Sequence, residues 1–125
     1  MDPKKVLIIG AGISGLTATK HALDAGLTPV TLERSKDLGG VWNPSTGRIW
    51  DRLSTNIVKY AAQFVEFPFT ENIPAFPLGH HVFDYLKEYA CKFNLFPHIK
   101  FNCEVTRVEK VAGDEETFYR VSWRD

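Results

Sequence analysis

The spacing of apolar residues at the start of the chain predicts a strand, a helix and a second strand. A continuous apolar run, Val6–Ile9, stops at a glycine, as strands buried on both faces of a parallel sheet do. Apolar and small residues then recur at helical spacing over residues 14–25, and Gly26 follows where a helix C-cap belongs. A second short strand covers residues 28–33. The pattern therefore predicts a strand–helix–strand unit over residues 1–34.

The middle of the chain has a different pattern. Residues 35–77 show little sustained periodicity and contain several prolines, a glycine pair and two tryptophans. An unstructured loop of that length is unusual in a compact domain, so we expect a functional segment with short helices of its own. Helical spacing returns over residues 79–95, and Pro97 ends that helix.

Alternating apolar and polar residues follow this helix. Residues 99–105 alternate as a half-buried strand does, and residues 105–124 are typical of an antiparallel excursion. The sequence therefore predicts an α/β fold with three parallel strands (6–9, 28–33 and 99–103) in the order 3-2-1, plus that excursion. The first strand would then lie at an uncovered edge of the sheet.

A glycine-rich turn joins the first strand to the first helix. It has the pattern G-x-G-x-x-G and consists of Gly10, Ala11, Gly12, Ile13, Ser14 and Gly15. The first glycine allows a tight turn, the second lets the backbone approach a pyrophosphate, and the third lets helix and strand pack closely. The N-terminus of the helix adds free N–H groups and a partial positive charge. The turn predicts dinucleotide binding by a partial Rossmann-like domain.

An acidic residue stands at the end of the second strand. Glu33 follows Gly10 by 23 positions (33 − 10). A carboxylate at this place accepts hydrogen bonds from the hydroxyls of an adenosine ribose, and it would repel a 2′-phosphate. NADP is therefore disfavoured at this site, whereas FAD and NAD share the glycine pattern and both stay open. An NAD dehydrogenase would need a catalytic acid or base after the fold, and the sequence offers none.

The segment that follows the acid, ERSKDLGGVW, bears on the choice between FAD and NAD. A usual NAD site would continue into another short helix and strand. Here a compact turn at Gly39 and Gly40 can pass close to a cofactor, and Trp42 can cover an apolar ring. Taken as an isolated residue, that tryptophan is better explained by core packing.

Composition and charge exclude several classes of function. Hydrophobic residues make up 44% of the chain, and fifteen basic residues balance fifteen acidic ones, which disfavours nucleic acid or an anionic membrane as partner. No apolar run is long enough to cross a bilayer, and the cytoplasm is the expected location. Cys91 and Cys103 match no metal motif, and we expect Cys91 to be a buried core thiol. The four histidines lack partners at ligand spacing, so no metal site is predicted.

Over nearly its whole length the chain resembles the flavin-containing monooxygenases. The segments that carry the likeness, in order and spacing, are VLIIGAGISGL, LERSKDLGGVW, the pair Thr55 and Asn56 followed by Lys59, FPF at 67–69, DYLKEYACKFNL at 84–95 and the strand at 99–105. The G-G-x-W element also occurs in the related Baeyer–Villiger and N-hydroxylating monooxygenases. The Asn56 region and the FPF after it favour the flavin-containing monooxygenases, which include the N,N-dimethylaniline monooxygenases.

The resemblance implies FAD as the bound cofactor and NADPH as the reductant. Residues 10–15 would hold the FAD pyrophosphate and Glu33 its adenosine ribose. The other implied contacts are Val41 and Trp42 to FAD, and Thr55 and Asn56 to FAD and NADPH together. From the residues alone, an asparagine in a loop is more often an Asx turn or a cap.

The implied chemistry is that of a monooxygenase. NADPH reduces the flavin, O₂ adds to give a flavin hydroperoxide, and one oxygen passes to a soft nucleophilic nitrogen or sulfur of a small molecule. The cofactor is the oxidant, so the protein has to bind, orient and exclude water. Asn56 would be the catalytic residue, because it would hydrogen-bond the flavin adduct and slow the loss of peroxide.

The domain organisation leaves two hypotheses open. After Gly15 no further G-x-G-x-x-G occurs, so we expect residues 1–125 to be the N-terminal part of an FAD-binding domain without an NADPH domain. Its parts would be the unit 1–34, an irregular cofactor-facing segment 35–77, and a helix with strands over 78–125. The alternative is a standalone FAD- or nucleotide-binding module without activity of its own. A partner chain or a missing C-terminal half would complete the sheet, and a full-length relative would reach the cytosolic face of the endoplasmic reticulum.

Overall fold

A three-stranded parallel sheet forms the centre of the molecule. The computed structural model describes residues 4–113 and 117–125. The strands are β1 (Lys5–Ile9), β2 (Thr28–Leu32) and β3 (Ile99–Lys100), in the order β1-β2-β3, with β2 parallel to both neighbours. Helix α1 (Ile13–Asp24) connects β1 to β2 and packs on both. The predicted α/β fold with this strand order is confirmed.

Strand β1 lies at the edge of the sheet, as the order predicts, and it is not buried on both faces. Leu7 and Ile9 remain 41% and 55% exposed, while Val6 and Ile8 are half-buried. The expected two-sided burial is wrong because, among the described residues, α1 covers β1 on one face only. The apolar run therefore stays open to solvent along one side.

The segment between β2 and the next long helix contains short helices, as expected. Two single-turn 3₁₀ helices span Gly40–Trp42 and Pro44–Thr46, and helix α2 spans Lys59–Ala62. Helix α3 (Gly79–Lys92) follows. It ends earlier than predicted, because Asn94 adopts a left-handed conformation with φ of 53° and cannot continue the helix.

Strand β3 is shorter than the alternating pattern predicts. After Lys100 the chain turns at Asn102, whose φ of 56° breaks the extended backbone. Two long antiparallel strands follow, β4 (Glu104–Ala112) and β5 (Thr117–Arg124), and they confirm the predicted excursion. Residues 114–116 lie outside the described part of this excursion, as residues 1–3 lie outside the described part of the first unit.

The hydrophobic core lies between the sheet, α1 and α3. Helix α3 contributes the largest share, and the helical spacing predicted over residues 79–95 corresponds to its buried stripe, with Phe93 only partly buried. The buried apolar members are Ala11, Leu16, Leu38, Val82, Tyr85, Leu86, Tyr89, Ala90, Leu95 and Ile99. Cys91 is exposed, so its assignment to the core is wrong: it follows Ala90 by one residue, a rotation of about 100° that carries it off the buried stripe. Within the described residues, no helix is long and apolar enough to span a membrane.

Candidate functional site

The glycine turn after β1 has the geometry that its pattern predicts. Gly10 has a φ of +92°, which only glycine adopts without strain. A Cβ on Gly15 would stand 1.8 Å from the carbonyl oxygen of Gly10, so helix and turn touch there through bare backbone. Gly12 is the N-cap of α1, and no side chain caps the helix. The first N–H groups of α1 are therefore available to an anion.

Glu33 joins the end of β2 to this turn. Its Oε2 accepts a hydrogen bond from the Ala11 N–H at 2.7 Å, and its Oε1 accepts one from the Ser35 N–H at 2.8 Å. The residue is 6% exposed, so the carboxylate is held in one place. Each oxygen keeps a further lone pair for a ligand hydroxyl. Sequence reasoning found the acid but missed its bonds to the backbone.

The second glycine turn packs directly on the first. Gly39 and Gly40 have φ values of +110° and +57°, and the Gly39 N–H donates to the Ala11 carbonyl at 2.9 Å. A Cβ on Gly40 would stand 3.0 Å from the Cα of Gly12. The two turns therefore form one continuous backbone wall, although they lie far apart in sequence.

A first cavity of about 370 Å³ opens on one side of this wall. The predicted site residues that line it are Gly10, Gly12, Glu33 and Val41, and Gly40 of the second glycine turn lines it with them. Its other lining residues come mainly from the chain after Glu33, from the turn after the second 3₁₀ helix and from the start of β4: Ile9, Leu32, Arg34, Ser35, Thr46, Arg48, Cys103, Glu104 and Val105. The structure thus adds two arginines that the motif analysis did not single out.

A second cavity of about 620 Å³ opens on the other side of the wall. Among the predicted residues, Ile13, Trp42, Thr55 and Asn56 line it. Most of the remaining lining is apolar and comes from α2, α3 and the segment before α2: Leu53, Ser54, Ile57, Ala61, Ala62, Phe69, Val82, Tyr85 and Leu86. Trp42 also packs against the core, which bears out the core-packing alternative, and the same residue lines the second cavity.

The two cavities are adjacent through consecutive residues of the wall. Gly12 and Val41 face the first cavity, whereas their neighbours Ile13 and Trp42 face the second. An elongated ligand could therefore occupy both cavities by crossing the glycine turn. Three of the predicted residues line neither cavity: Ala11 is buried, Gly15 is in the packing contact, and Ser14 is exposed on the first turn of α1.

The segment that contains Thr55 and Asn56 is held by the chain before α3. The Thr55 N–H donates to the Pro77 carbonyl at 2.9 Å, and the Gly79 N–H donates to the Leu53 carbonyl at 2.8 Å. Thr55 Oγ1 donates to the Ile57 carbonyl at 2.8 Å. Asn56 itself is exposed at the mouth of the second cavity.

Two titratable side chains of α3, His81 and Tyr85, form hydrogen bonds to the backbone of the chain before α3. His81 Nδ1 accepts a hydrogen bond from the Leu78 N–H at 3.0 Å, and burial together with the neighbouring His80 lowers the pKa of its imidazole. Tyr85 accepts from the Phe64 N–H at 2.9 Å and donates to the Phe67 carbonyl at 2.5 Å. Burial raises the pKa of the Tyr85 phenol, which therefore stays protonated and able to donate. Among residues 4–113 and 117–125, no three His, Cys, Asp or Glu side chains are grouped to hold a metal ion.

Comparison with known families and structures agrees with this geometry. The model of the flavin-binding monooxygenase-like family matches residues 3–119. The chain belongs to this family. It is 39% identical over 120 residues to dimethylaniline monooxygenase (N-oxide-forming) 4 of Rattus norvegicus, an alignment that covers 91% of this chain and 21% of the relative. This member of the flavin-binding monooxygenase-like family thus spans about a fifth of the length of the curated relatives it matches.

Solved structures share the fold of this family member. S-allyl-L-cysteine S-oxygenase from Allium sativum superposes with a TM-score of 0.82 at 26% identity, covering 98% of this chain and 32% of that one. An oxidized steroid monooxygenase bound to NADP superposes with a TM-score of 0.74 at 25% identity, covering 97% of this chain and 23% of that one. The partial Rossmann-like domain seen here is therefore one that flavin monooxygenases contain.

Proposed function

We propose that this chain is the N-terminal FAD-binding part of an NADPH-dependent flavin monooxygenase. The observation that carries the proposal is the pair of cavities on either side of the glycine wall. Glu33 lines one of them, and Trp42 and Asn56 line the other. A long cofactor with a polar nucleotide half and an apolar ring half fits that division.

The residues present fit FAD. In the first cavity, Glu33 would accept the adenosine ribose hydroxyls, and the first N–H groups of α1 would face the pyrophosphate. A Cβ on Gly12 or Gly40 would point at the backbone of the other glycine, so glycine at both positions lets the two turns pack into the bare backbone wall along which the ligand would run. In the second cavity, Trp42 and the apolar lining would cover the isoalloxazine ring.

Held by Glu33, the N-terminus of α1 and Trp42, FAD would supply the redox chemistry of the site, with NADPH as the two-electron reductant and O₂ as the source of the transferred oxygen atom. The protein residues of the second cavity would orient the ring and keep water away from it. Asn56 would donate a hydrogen bond from its amide at the mouth of the cavity. We propose small molecules with a soft nucleophilic nitrogen or sulfur as substrates, in line with the N-oxide-forming and S-oxygenating relatives.

A second candidate function is a standalone FAD-binding module that is inactive alone. The bare edge of β1 favours a partner chain that pairs with it and completes the sheet. In both functions residues 1–34 would form the nucleotide unit, 35–77 the cofactor-facing segment and 78–125 the supporting helix and strands.

The first experiment is flavin retention by the 125-residue chain. The chain is incubated with FAD, desalted, and examined by visible absorption and size-exclusion chromatography. Retained flavin on a monodisperse species is the expected result, and riboflavin should be lost under the same conditions because it lacks the pyrophosphate and adenosine. A chain that retains neither compound, while folded by far-UV circular dichroism, would contradict FAD binding.

The monooxygenase chemistry is tested in a full-length protein that carries this N-terminal part. Asn56→Ala should leave FAD bound and raise the hydrogen peroxide released per NADPH consumed, with dimethylaniline as substrate. Ser122→Ala is the control, because Ser122 is exposed on β5 and lines neither cavity. Equal coupling in Asn56→Ala and the unsubstituted enzyme would remove Asn56 from the catalytic role.

A further inference from the structure

A buried lysine lies three residues after Asn56. Lys59 is 4% exposed, and its ammonium donates to three backbone carbonyls: Thr70 at 3.2 Å, Glu71 at 3.2 Å and Ile73 at 2.7 Å. No carboxylate pairs with it among the described residues. Its three donors are thus satisfied by one loop.

A buried charge of this kind is costly for stability alone. Removing an ammonium from water carries a large desolvation penalty, and an apolar side chain of similar length would fill the same space without it. What the ammonium adds is geometric precision, since three carbonyls of one loop must converge on one nitrogen.

Two backbone hydrogen bonds connect the segment that contains Lys59 and Asn56 to the chain before α3. The Lys59 N–H donates to the Ala75 carbonyl at 2.7 Å, and four residues earlier the Thr55 N–H donates to the Pro77 carbonyl at 2.9 Å. These two bonds fasten both ends of the short segment 56–58 to the chain before α3. Asn56 and Ile57 project from that segment and line the second cavity.

We infer that Lys59 is a positioning residue for Asn56. Its ammonium fixes the loop 70–75, that loop fixes one end of segment 56–58, and the segment then holds the Asn56 amide at the cavity mouth. Lys59 does not itself line either cavity. The inference rests on the proposed function, because it takes the second cavity as the flavin site.

The test uses the 125-residue chain loaded with FAD, in the variants Lys59→Met, Lys59→Arg and Asn56→Ala. Lys110→Met is the matched control, because Lys110 is exposed on β4, away from the second cavity. We expect the FAD affinity of Lys59→Met to stay within about twofold of the unsubstituted chain, because the nucleotide half binds elsewhere. The visible circular dichroism of the bound flavin should change in Lys59→Met as it does in Asn56→Ala. It should return toward the original in Lys59→Arg and be unaltered in Lys110→Met.

Amide hydrogen exchange supplies a second measurement. The N–H groups of Thr55 and Lys59 should exchange faster in Lys59→Met, while those of β2 should not change. If Lys59→Met does not fold by far-UV circular dichroism, Lys59→Gln, which keeps a donor, is judged by the same criteria.

Failure of the inference and failure of the proposed function give different results. FAD retained by all variants, with the visible circular dichroism of Lys59→Met identical to that of the unsubstituted chain, would overturn the role of Lys59 and leave the FAD site intact. An unsubstituted folded chain that retains no FAD would overturn both.

Discussion

At the scale of single residues, Glu33 has an observed structural role in addition to the ligand role proposed for it. Glu33 was predicted as a ribose acceptor, and the structure shows that its carboxylate also holds the Ala11 and Ser35 amides. The acid therefore shapes the glycine turn before any ligand arrives. A substitution here changes both the fold of the turn and the proposed ligand contacts.

We predict that Glu33→Gln weakens FAD binding at least about tenfold and destabilises the chain by about 1–3 kcal/mol. One of the two backbone amides would face an NH₂ group instead of an acceptor, and a charge-assisted bond would be lost. Flavin fluorescence quenching measures the affinity, and urea denaturation measures the stability. Glu88→Gln, an exposed position on α3, should alter neither. FAD affinity unchanged in Glu33→Gln would place the ribose elsewhere.

Some residues could be predicted from sequence and others could not, for physical reasons. The turn of residues 10–15 is local, so its pattern alone predicts its shape. The role of Lys59 could not be predicted, because a lysine is expected at the surface and its three acceptors are backbone atoms that carry no sequence signal. Arg48 lines the first cavity because the 3₁₀ helix before it turns the chain there, and no periodic pattern in the sequence predicts that helix.

At the scale of elements, helix α3 links the core to the second cavity. The side chain of His81 caps the N-terminus of α3, because its neutral Nδ1 accepts a hydrogen bond from the Leu78 N–H. Leu78 in turn forms a β-bridge with Ser54, the residue before Thr55. The boundaries of such elements were the weakest part of the sequence prediction. Asn94 and Asn102 end α3 and β3 by adopting left-handed conformations, which the apolar pattern does not encode.

We predict that protonation of His81 destabilises the fold below neutral pH. The pKa of His81 is lowered from 6.5 in the folded chain, so the unfolded chain binds the proton first as pH falls. Its stabilising contribution is complete above pH 6.5 and is lost as pH falls from there through the lower folded pKa. Urea denaturation at several pH values should show a smaller loss of stability below pH 6.5 in His81→Gln than in the unsubstituted chain. Parallel profiles of stability against pH for His81→Gln and the unsubstituted chain would contradict this role of His81.

The β4–β5 ribbon shows that an alternating pattern predicts the two faces of a strand pair but not what packs against them. Its alternation predicted the strands, and the pairing places Val108, Tyr119, Val121 and Trp123 on one face. The opposite face carries the Arg124–Glu104 ion pair at 2.6 Å. The pattern thus gives the two faces of the ribbon, whereas what packs on the apolar face depends on tertiary contacts outside a two-stranded unit.

At the scale of the whole molecule, charge is balanced overall and uneven locally. The fifteen basic and fifteen acidic residues leave no net charge to attract an anionic ligand from a distance. Arg34 and Arg48 nevertheless lie at the first cavity, and neither forms an ion pair within residues 4–113 and 117–125. Any salt dependence of FAD binding should therefore come from these two side chains.

We predict that FAD binding weakens as salt is raised, and that Arg48→Gln reduces both the affinity and this salt dependence. An exposed guanidinium near a pyrophosphate is expected to contribute about a two- to fivefold gain in affinity at low ionic strength. Titrations at low and high sodium chloride measure the effect. Arg120→Gln on β5 serves as the control, since Arg120 lines neither cavity. Equal salt dependence in Arg48→Gln and Arg120→Gln would show that Arg48 does not meet the pyrophosphate.

The contact between the two glycine turns has a consequence for protein engineering. Residues 1–34 look like the portable nucleotide-binding unit, and a designer would graft that stretch onto another scaffold. Yet the Ala11 carbonyl needs the Gly39 N–H, and the surface of Gly12 is completed by Gly40. A transplant that stops at residue 34 would lack one of the two turns that form the wall, so a transferable segment has to include Gly39 and Gly40.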